Sequence, residues 1–289
     1  MTLLVIGASG QMGQTLAEQI SKRSIDAVVV GRPKLDILKA DSIRDALTQI
    51  RPTAIINTSA YAQVDQAESD RDAAVALNDT APRELAIEAE RAGARLIHMS
   101  TDYVFDGMKG APYAEDDSTN PLNHYGRTKR AGEIGVLEHG GVIARVSWIL
   151  SPYGSNFTKT MLRLAESRKD VRVVADQFGT PTLGLPLADA LLDVALSLED
   201  MSSPPDVIHL AGQEGVVWAD VAEAIFDALS ARGGPNIHVE RIATTERPTP
   251  SVRPKDTRLD SHRLAQLFGI VLPHWRDELP SVVDRIVSG

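Results

Sequence analysis

The stretch NPLNHYGRTKR, residues 120–130, holds a tyrosine and a lysine that could act together in proton transfer. Tyr125 and Lys129 are four residues apart, so both would lie on the same face of a helix. A tyrosine hydroxyl can give a proton to a substrate, and a nearby ammonium group lowers its pKa by favouring the phenolate. The alternative is a packed tyrosine beside a solvated lysine, because such pairs also arise by chance. The interpretation therefore depends on the other motifs.

The segment STDYVFDG, residues 100–107, places hydroxyl groups where a catalytic site is expected. It continues the predicted strand RLIHMS, so Ser100 and Thr101 lie at the carboxyl end of that strand. Ligands of open parallel sheets bind at this edge. A strand-end hydroxyl that is followed along the chain by the tyrosine–lysine pair is a more specific signal than either part alone.

The glycine-rich segment GASGQMG indicates a dinucleotide site. Gly7, Gly10 and Gly13 stand between a predicted strand and a predicted helix. Glycines there let the backbone approach a pyrophosphate, and the helix N-terminus offers free N–H groups. An ordinary glycine-rich turn is the alternative, but the position in the first strand–helix unit favours a nucleotide.

The end of the second predicted strand favours NADP over NAD. NAD enzymes usually carry an acidic residue here for the ribose hydroxyls, whereas this chain has Gly31 and Arg32. A guanidinium group can hold a 2′-phosphate through two hydrogen bonds. A solvated surface arginine is the alternative. Asp36 and Ile37 are expected to flank the adenine ring.

The elements that must position these residues are short apolar strands alternating with helices. Continuous apolar strands separated by helices predict a parallel sheet covered on both faces. The fold class is therefore α/β, a Rossmann-type doubly wound parallel sheet with a second, smaller mixed α/β substrate domain. Residues 1–150, rejoined by 186–213, are expected to form the dinucleotide-binding domain, and 151–289 most of the substrate domain. The predicted strands are 3–7, 27–31, 54–58, 95–100, 141–147 and 207–212, and the predicted helices include 11–23, 41–50, 123–140, 156–168, 186–200 and 217–234.

Composition excludes several classes of protein and site. The chain has 289 residues with 30 basic and 39 acidic ones, a net charge of −9, which argues against a general nucleic-acid binder. It has no cysteine, so disulfides, thiolate nucleophiles and cysteine metal sites are excluded. The seven histidines show no paired metal-ligand spacing, so no metal site is predicted. The apolar run at the start is too short for a signal peptide or a membrane span, so a cytoplasmic location and no membrane partner are expected.

Seven motifs in order resemble the extended short-chain dehydrogenase/reductase superfamily and, within it, the dTDP-4-dehydrorhamnose reductases. The resemblance runs from residue 1 to about 182, fades around 200–245 and resumes at 253–260. It implies NADPH-dependent reduction of the 4-keto group of a deoxy sugar nucleotide, dTDP-4-dehydrorhamnose to dTDP-L-rhamnose, with NAD left open as cofactor. The motifs are GASGQMG, NTSAYAQVDQAES, STDYVFDG, NPLNHYGRTKRAGE, RVSWIL, NFTKTMLRL and DQFGTPT.

The resemblance implies roles for three catalytic residues and a set of cofactor contacts. Tyr125 would donate a proton as hydride arrives, Lys129 would lower the pKa of Tyr125 and hold the nicotinamide ribose, and Thr101 would hydrogen-bond the reacting carbonyl. The implied cofactor-binding residues are Gly7, Gly10, Gln11, Met12, Gly13, Arg32, Asp36, Ile37, Ala60, Tyr61, Met99, Tyr125 and Lys129.

The resemblance also implies a substrate site, for which several alternatives stay open. Asp65 could instead cap a helix, Trp148 could be a core residue, and Arg253 and Arg258 could lie in a solvated loop. The basic loop 247–258 in an acidic protein favours anion binding. The implied substrate-binding residues are Val64, Asp65, Thr101, Asp102, Tyr103, Trp148, Asn156, Arg253 and Arg258.

Two other functions share this fold and motif set. One is an epimerase or reductase of another nucleotide sugar, and the other is a non-catalytic NADP-binding regulatory subunit. The intact Thr101, Tyr125 and Lys129 favour catalysis. The expected partners are a nucleotide-sugar substrate and no nucleic acid, with a homodimer left open, and His98 is interpreted as a core histidine.

Overall fold

The computed structural model describes residues 2–198 and 201–288. Its centre is a sheet of six parallel strands in the order β2-β1-β3-β4-β5-β10. The strands are β1 (Leu3–Ile6), β2 (Ala27–Val30), β3 (Ala54–Asn57), β4 (Arg95–Thr101), β5 (Val142–Val146), β6 (Ile149–Leu150), β7 (Asp170–Val174), β8 (Phe178–Gly179), β9 (Thr182–Leu183), β10 (Val207–Leu210), β11 (Val216–Val217) and β12 (His238–Ile242).

In the described residues, ten α-helices connect the strands or cover the sheet. A π-helical segment, Ala76–Thr80, joins two of these helices. Pro82 stands in the first turn of the second helix, where its missing N–H has no partner to lose. The helices are α1 (Gln11–Arg23), α2 (Ala40–Ile50), α3 (Arg71–Val75), α4 (Ala81–Ala92), α5 (His124–Leu137), α6 (Phe157–Ala165), α7 (Gly184–Ser197), α8 (Trp218–Ser230), α9 (His262–Phe268) and α10 (Trp275–Ser288).

The central sheet is buried on both faces, as its uninterrupted apolar strands require. All four residues of β1 are buried, and alternate ones point into opposite cores. One core lies against α1 and α7, and the other against α2, α4 and α5. This confirms the predicted α/β class with a parallel, doubly wound sheet.

A further core surrounds the fully buried Trp275 and joins α6, α8 and α10 to the small parallel pair β7–β12. This core also contains Trp148. By contrast, Leu264 of α9 and the residues of α7 pack in the core of the central sheet. The domain boundaries expected from the sequence stay predictions.

The strand order reverses between β1 and β3, which creates the crevice where such sheets bind ligands. The chain leaves β1 towards β2 on one side, and the later strands β3, β4 and β5 follow on the other. The ends of β1, β3 and β4 therefore converge on one edge. Within residues 2–198 and 201–288, no helix has the length and apolar character to cross a membrane.

Candidate functional site

The turn from β1 to α1 forms a cradle that only glycine can build. Gly7 has a φ of +111°, and a Cβ added to it would lie 2.3 Å from Thr58 Oγ1. A Cβ on Gly13 would lie 2.0 Å from the carbonyl oxygen of Gly7. Gly10 precedes α1 and has no side chain to cap its first N–H groups. The cradle therefore fits a pyrophosphate held by backbone amides at a helix N-terminus.

A crevice lies beside this turn, where the sequence predicts the nucleoside of the cofactor. The exposed Arg32 lies at its rim and makes no ion pair within the described part of the chain. Asp36 accepts a hydrogen bond from the backbone N–H of Leu38 at 3.2 Å, so its carboxylate helps to shape the loop. Among the residues lining the crevice are Gly7, Gly10, Gly31, Arg32, Asp36, Ile37, Ser59 and Ala60.

The backbone after β3 is held in place by a buried asparagine. Asn78 accepts a hydrogen bond from the N–H of Tyr61 at 2.8 Å and donates to its carbonyl oxygen at 3.1 Å. It also donates to Thr128 of α5 at 3.1 Å. The Tyr61 hydroxyl donates to Asp70 at 3.0 Å. The segment of Ala60 and Tyr61 is therefore rigid where the sequence predicts passage of a cofactor.

Tyr125 and Lys129 both lie on α5, which Asn123 caps by accepting from the N–H of Gly126 at 2.8 Å. Tyr125 is half-buried, and Thr101 lies near enough to its hydroxyl to affect the pKa of the tyrosine. Burial raises the pKa of Tyr125 far above its ordinary value, and the hydrogen bond with Thr101 opposes that rise. The resemblance in sequence implies that Lys129 lowers the pKa of Tyr125. That expectation is wrong for the structure, because desolvation dominates.

Lys129 is 1% exposed, and its amine points to β4. Its Nζ lies 3.0 Å from His98 Nε2 and donates to the carbonyl oxygen of Met99 at 2.7 Å. Burial lowers the pKa of Lys129 to about 8, while the charge of Glu133 opposes that shift. His98 was interpreted only as a core residue, so its contact with the lysine was missed. Its position on β4 two residues before Ser100 was the signal, since that strand leads to the site.

Thr101 and Asp102 form a buried hydroxyl–carboxylate group at the end of β4. Thr101 donates to Asp102 Oδ1 at 3.0 Å. The other carboxylate oxygen accepts from Ser147 at 3.0 Å and from Thr257 at 2.6 Å. Burial raises the pKa of Asp102 to about 6, although the hydrogen bonds from Thr257, Thr101 and Ser147 oppose that rise. Asp102 thus fastens Thr101 to the loop that contains Thr257.

Arg253 reaches the same place from the loop 247–258. Its guanidinium pairs with Asp65 at 2.9 Å, donates to the Tyr103 hydroxyl at 3.3 Å and lies 5.7 Å from the centre of that ring. Tyr103 in turn meets the Tyr125 ring edge-on, with centroids 6.0 Å apart. Asp65 makes no helix-capping hydrogen bond. Tyr103, Asp65 and Arg253 are therefore brought together beside Tyr125.

Other predicted substrate residues have different neighbours. Trp148 stacks on Trp218 with ring centroids 3.5 Å apart and is only 9% exposed. Asn156 caps α6 by accepting from Lys159 N–H and donates to Gln11 at 2.9 Å.

Arg258 is held by a bidentate pair with Asp256, at 2.8 and 2.6 Å. Its contacts thus lie apart from the group around Tyr125. Val64 is partly buried beside Asp65, and Met12 lies in the core under α1. The ligand roles of all these residues stay predictions.

Comparison with known families decides the relationship. The family described as the RmlD substrate binding domain matches residues 1–288. The chain belongs to this family. As a member of the RmlD substrate binding domain family, it matches its relatives over nearly their whole length.

A dTDP-4-dehydrorhamnose reductase from Sinorhizobium fredii is 37% identical to the chain, over 98% of the chain and 97% of that relative. A crystal structure of the Bacillus anthracis dTDP-4-dehydrorhamnose reductase in complex with NADP has a TM-score of 0.89 at 32% identity, and covers 97% of this chain and 98% of that one. The Clostridium acetobutylicum orthologue has a TM-score of 0.90 at 32% identity, covering 98% and 99%. This RmlD family member therefore shares both sequence and fold with those enzymes.

Proposed function

We propose that the protein reduces the 4-keto group of a deoxy sugar nucleotide with NADPH, converting dTDP-4-dehydrorhamnose to dTDP-L-rhamnose. The observation that carries the proposal is the convergence of Thr101, Tyr125 and Lys129 in a chain similar to such reductases over its full length. Thr101 ends β4 at the carboxyl edge of the parallel sheet, which is also the edge where the glycine turn follows β1.

The residues present fit the cofactor. The α1 N-terminus and Gly7, Gly10 and Gly13 would hold the pyrophosphate, and the exposed Arg32 would hold a 2′-phosphate. Bound NADPH supplies hydride to the keto carbon. Gly31 leaves room beside the ribose where NAD enzymes carry an acid.

Tyr125 acts as the general acid in this proposal. Its raised pKa keeps the hydroxyl protonated until negative charge develops on the substrate oxygen. Thr101 donates its one hydroxyl proton to Asp102, so Asp102 fixes the orientation of the Thr101 hydroxyl near Tyr125.

Arg253 binds the negative end of the substrate in this proposal. Its guanidinium is partly buried, paired with Asp65 and oriented by the Tyr103 hydroxyl. A diphosphate would take the place of the Asp65 carboxylate, since both accept two hydrogen bonds from arginine. Assembly as a homodimer and a cytoplasmic location stay predictions.

Tyr125→Phe tests the chemistry. The ring and its edge contact with Tyr103 are kept, so the variant is expected to fold and bind NADPH as the native protein does. Turnover of dTDP-4-dehydrorhamnose, followed by loss of NADPH absorbance, is expected to fall about 10²–10⁴-fold because the general acid is lost. Near-native turnover would mean that another group gives the proton. A native protein that binds NADPH tightly but reduces no sugar nucleotide would favour the regulatory-subunit alternative.

A further inference from the structure

Three hydrogen bonds link the backbone after β3 to the amine of Lys129, and a fourth joins that amine to β4. The Ser59 N–H donates to Asn57 Oδ1 at 3.0 Å, and Asn57 Nδ2 lies 3.1 Å from His98 Nδ1. His98 Nε2 lies 3.0 Å from Lys129 Nζ, which also donates to the Met99 carbonyl. Asn57 and His98 are 0% exposed and Lys129 is 1% exposed. The bonds from Asn57 to His98 and from His98 to Lys129 are therefore shielded from bulk water.

The direction of each bond follows from the first. A backbone N–H can only donate, so the amide oxygen of Asn57 must face Ser59 and its NH₂ group must face His98. The NH₂ group can only donate, so His98 Nδ1 must carry the lone pair. A neutral imidazole then carries its proton on Nε2. That proton points at Lys129 Nζ, which can accept it only as a neutral amine.

We infer that His98 is a positioning residue, locked by Asn57 in its Nε2–H form, that turns an N–H towards Lys129 and thereby favours its neutral amine. The inference rests on the proposed function, because it concerns the lysine of the same site. It assigns a role to a buried histidine that the strand pattern presents only as core.

The charges around Lys129 are consistent with this role. Glu133, on its own helix, favours the ammonium form, but it is bound by Arg145 of β5 and by Arg130. From β3 and the π-helical segment, Asn57 and Asn78 present uncharged amides. Tyr125 is the titratable group one turn earlier on α5, and burial keeps it protonated.

His98 adds no second cation beside the lysine. Burial and the neighbouring lysine hold the pKa of His98 well below its ordinary value, so the ring stays neutral. Lys129 itself titrates with a pKa of about 8, chiefly because of burial.

A stabilised amine serves the proton balance of the reaction. When Tyr125 gives its proton to the substrate oxygen, a phenolate is left behind. In this inference the ammonium of Lys129, which lies on the same helix as Tyr125, supplies the proton that restores the tyrosine hydroxyl and becomes the amine, which the His98 N–H stabilises as a donor. The amine then takes a proton from solvent, so the enzyme regains its starting form. An ordinary lysine with a pKa near ~10.4 would release that proton far less readily at neutral pH.

Nuclear magnetic resonance of the native protein tests the tautomer directly. With ¹⁵N-labelled histidine and ¹³Cε-labelled lysine, His98 is expected to carry its proton on Nε2 between about pH 6 and 9. Lys129 is expected to titrate with a midpoint near pH 8. Resonances would be assigned from the variants His98→Gln and Lys129→Met. A proton on Nδ1, an imidazolium ring or a lysine midpoint above about pH 10 overturns the inference.

His98→Gln and His209→Gln form a matched pair. His209, on β10 of the same sheet, is also 0% exposed, and its ring bonds to the Asp260 carbonyl oxygen at 3.0 Å. His98→Gln can turn an amide oxygen to Lys129, so the lysine midpoint should rise by about one pH unit or more. The matching limb of the kcat/KM pH profile should move equally, with the KM for the sugar nucleotide unchanged. His209→Gln should move neither.

The outcomes separate this inference from the proposed function. Equal shifts in both variants, or none in His98→Gln, would refute the positioning role. If His98→Gln does not fold, the tautomer of the native protein still decides. If the tautomer and midpoint are as expected but no sugar nucleotide is reduced, the proposed function fails and the inference stands.

Discussion

Helix α5 buries two ionisable side chains one turn apart, but only one of them has an oppositely charged partner. Glu133 is 0% exposed and forms a bidentate ion pair with Arg145, with both N–O distances 2.9 Å. Lys129 is 1% exposed and meets only an imidazole and a carbonyl oxygen within hydrogen-bond distance in the described residues. The same helix face therefore holds one compensated and one uncompensated ionisable group.

The difference separates structure from function. A buried ion pair with good geometry keeps both charges at little net change in stability, whereas a buried amine without a carboxylate partner shifts its pKa instead. Such a group destabilises the fold and persists where chemistry needs it. Glu133 and Arg145 hold α5 against β5, whereas Lys129 carries the amine that we propose to be catalytic. Four variants test this contrast.

The largest effect is expected from Glu133→Gln. It leaves the guanidinium of Arg145 buried without its carboxylate, so the free energy of unfolding should fall by about 3–5 kcal/mol. Urea denaturation would measure the loss. The control is Glu138→Gln, because Glu138 pairs with Arg83 at the surface and should matter by less than about 1 kcal/mol. Equal losses in the free energy of unfolding would show that the buried ion pair contributes no more to stability than the surface pair.

Lys129→Met should instead raise the free energy of unfolding at neutral pH. The unfolded chain binds a proton on lysine up to about pH 10.5, whereas the folded one loses it near pH 8, so native stability rises with pH between these values. At pH 7 the variant avoids the buried charge and should be more stable by about 1–3 kcal/mol. The gain should vanish above pH 10.5, while turnover and NADPH affinity are lost. The exposed Lys39→Met serves as control, and a destabilised Lys129→Met would contradict the contrast.

Asp102→Asn should mainly remove a dependence of native stability on pH, and should change the stability itself less. The pKa of Asp102 is raised from 3.8 to about 6, so the folded state binds more protons than the unfolded one in that window. Native stability should therefore fall as the pH rises from 4 to 6, by about 1–2 kcal/mol relative to the variant. The effect is smaller than for Lys129 because three hydroxyl donors partly compensate the carboxylate. Thermal unfolding at both pH values would measure it, and parallel pH curves would contradict it.

Arg32→Ala should change stability least, by under about 0.5 kcal/mol, because the side chain is exposed. NADPH binding should weaken by roughly 1.5–3 kcal/mol, about tenfold to a hundredfold, through loss of a charge-assisted contact. NADH binding should hardly change. Titration of both cofactors would test this, with the neighbouring exposed Lys34→Ala as control. Equal affinities of the native protein for NADPH and NADH would rule out the phosphate role.

The sequence predicted the elements whose signals are local. The helix at 11–23 has the predicted bounds, because a glycine precedes it and its apolar spacing is regular. The six strands of the central sheet were all expected, since buried parallel strands are continuous apolar runs. Tyr125 and Lys129 on one helix follow from spacing alone.

The features that the sequence did not predict are contacts between residues far apart in the chain. Strands β7 and β12 mix charged and apolar residues, and within the described residues each pairs with the other from far away in the sequence, so no continuous apolar run marked them. The stacking of Trp148 on Trp218 and the pairing of Asp65 with Arg253 are equally non-local. His98 was missed because its environment depends on Asn57 and Lys129, which lie on other elements. The wrong direction for the Tyr125 pKa arose because spacing reveals a neighbouring charge but not desolvation.

The hydrogen bonds that hold the loop 247–258 in place affect how fast a substrate can bind. Asn123 donates to the Val252 carbonyl oxygen at 2.9 Å, Thr257 is bound to Asp102, and Phe178 N–H donates to the Lys255 carbonyl oxygen at 2.7 Å. A loop that is already ordered loses little conformational entropy on binding, whereas a free one would lose about 1–2 kcal/mol per residue. Under the proposed role of Arg253, capture would need no closing motion of this segment. The incoming diphosphate would displace the Asp65 carboxylate from the arginine, so binding would be an exchange of one anion for another.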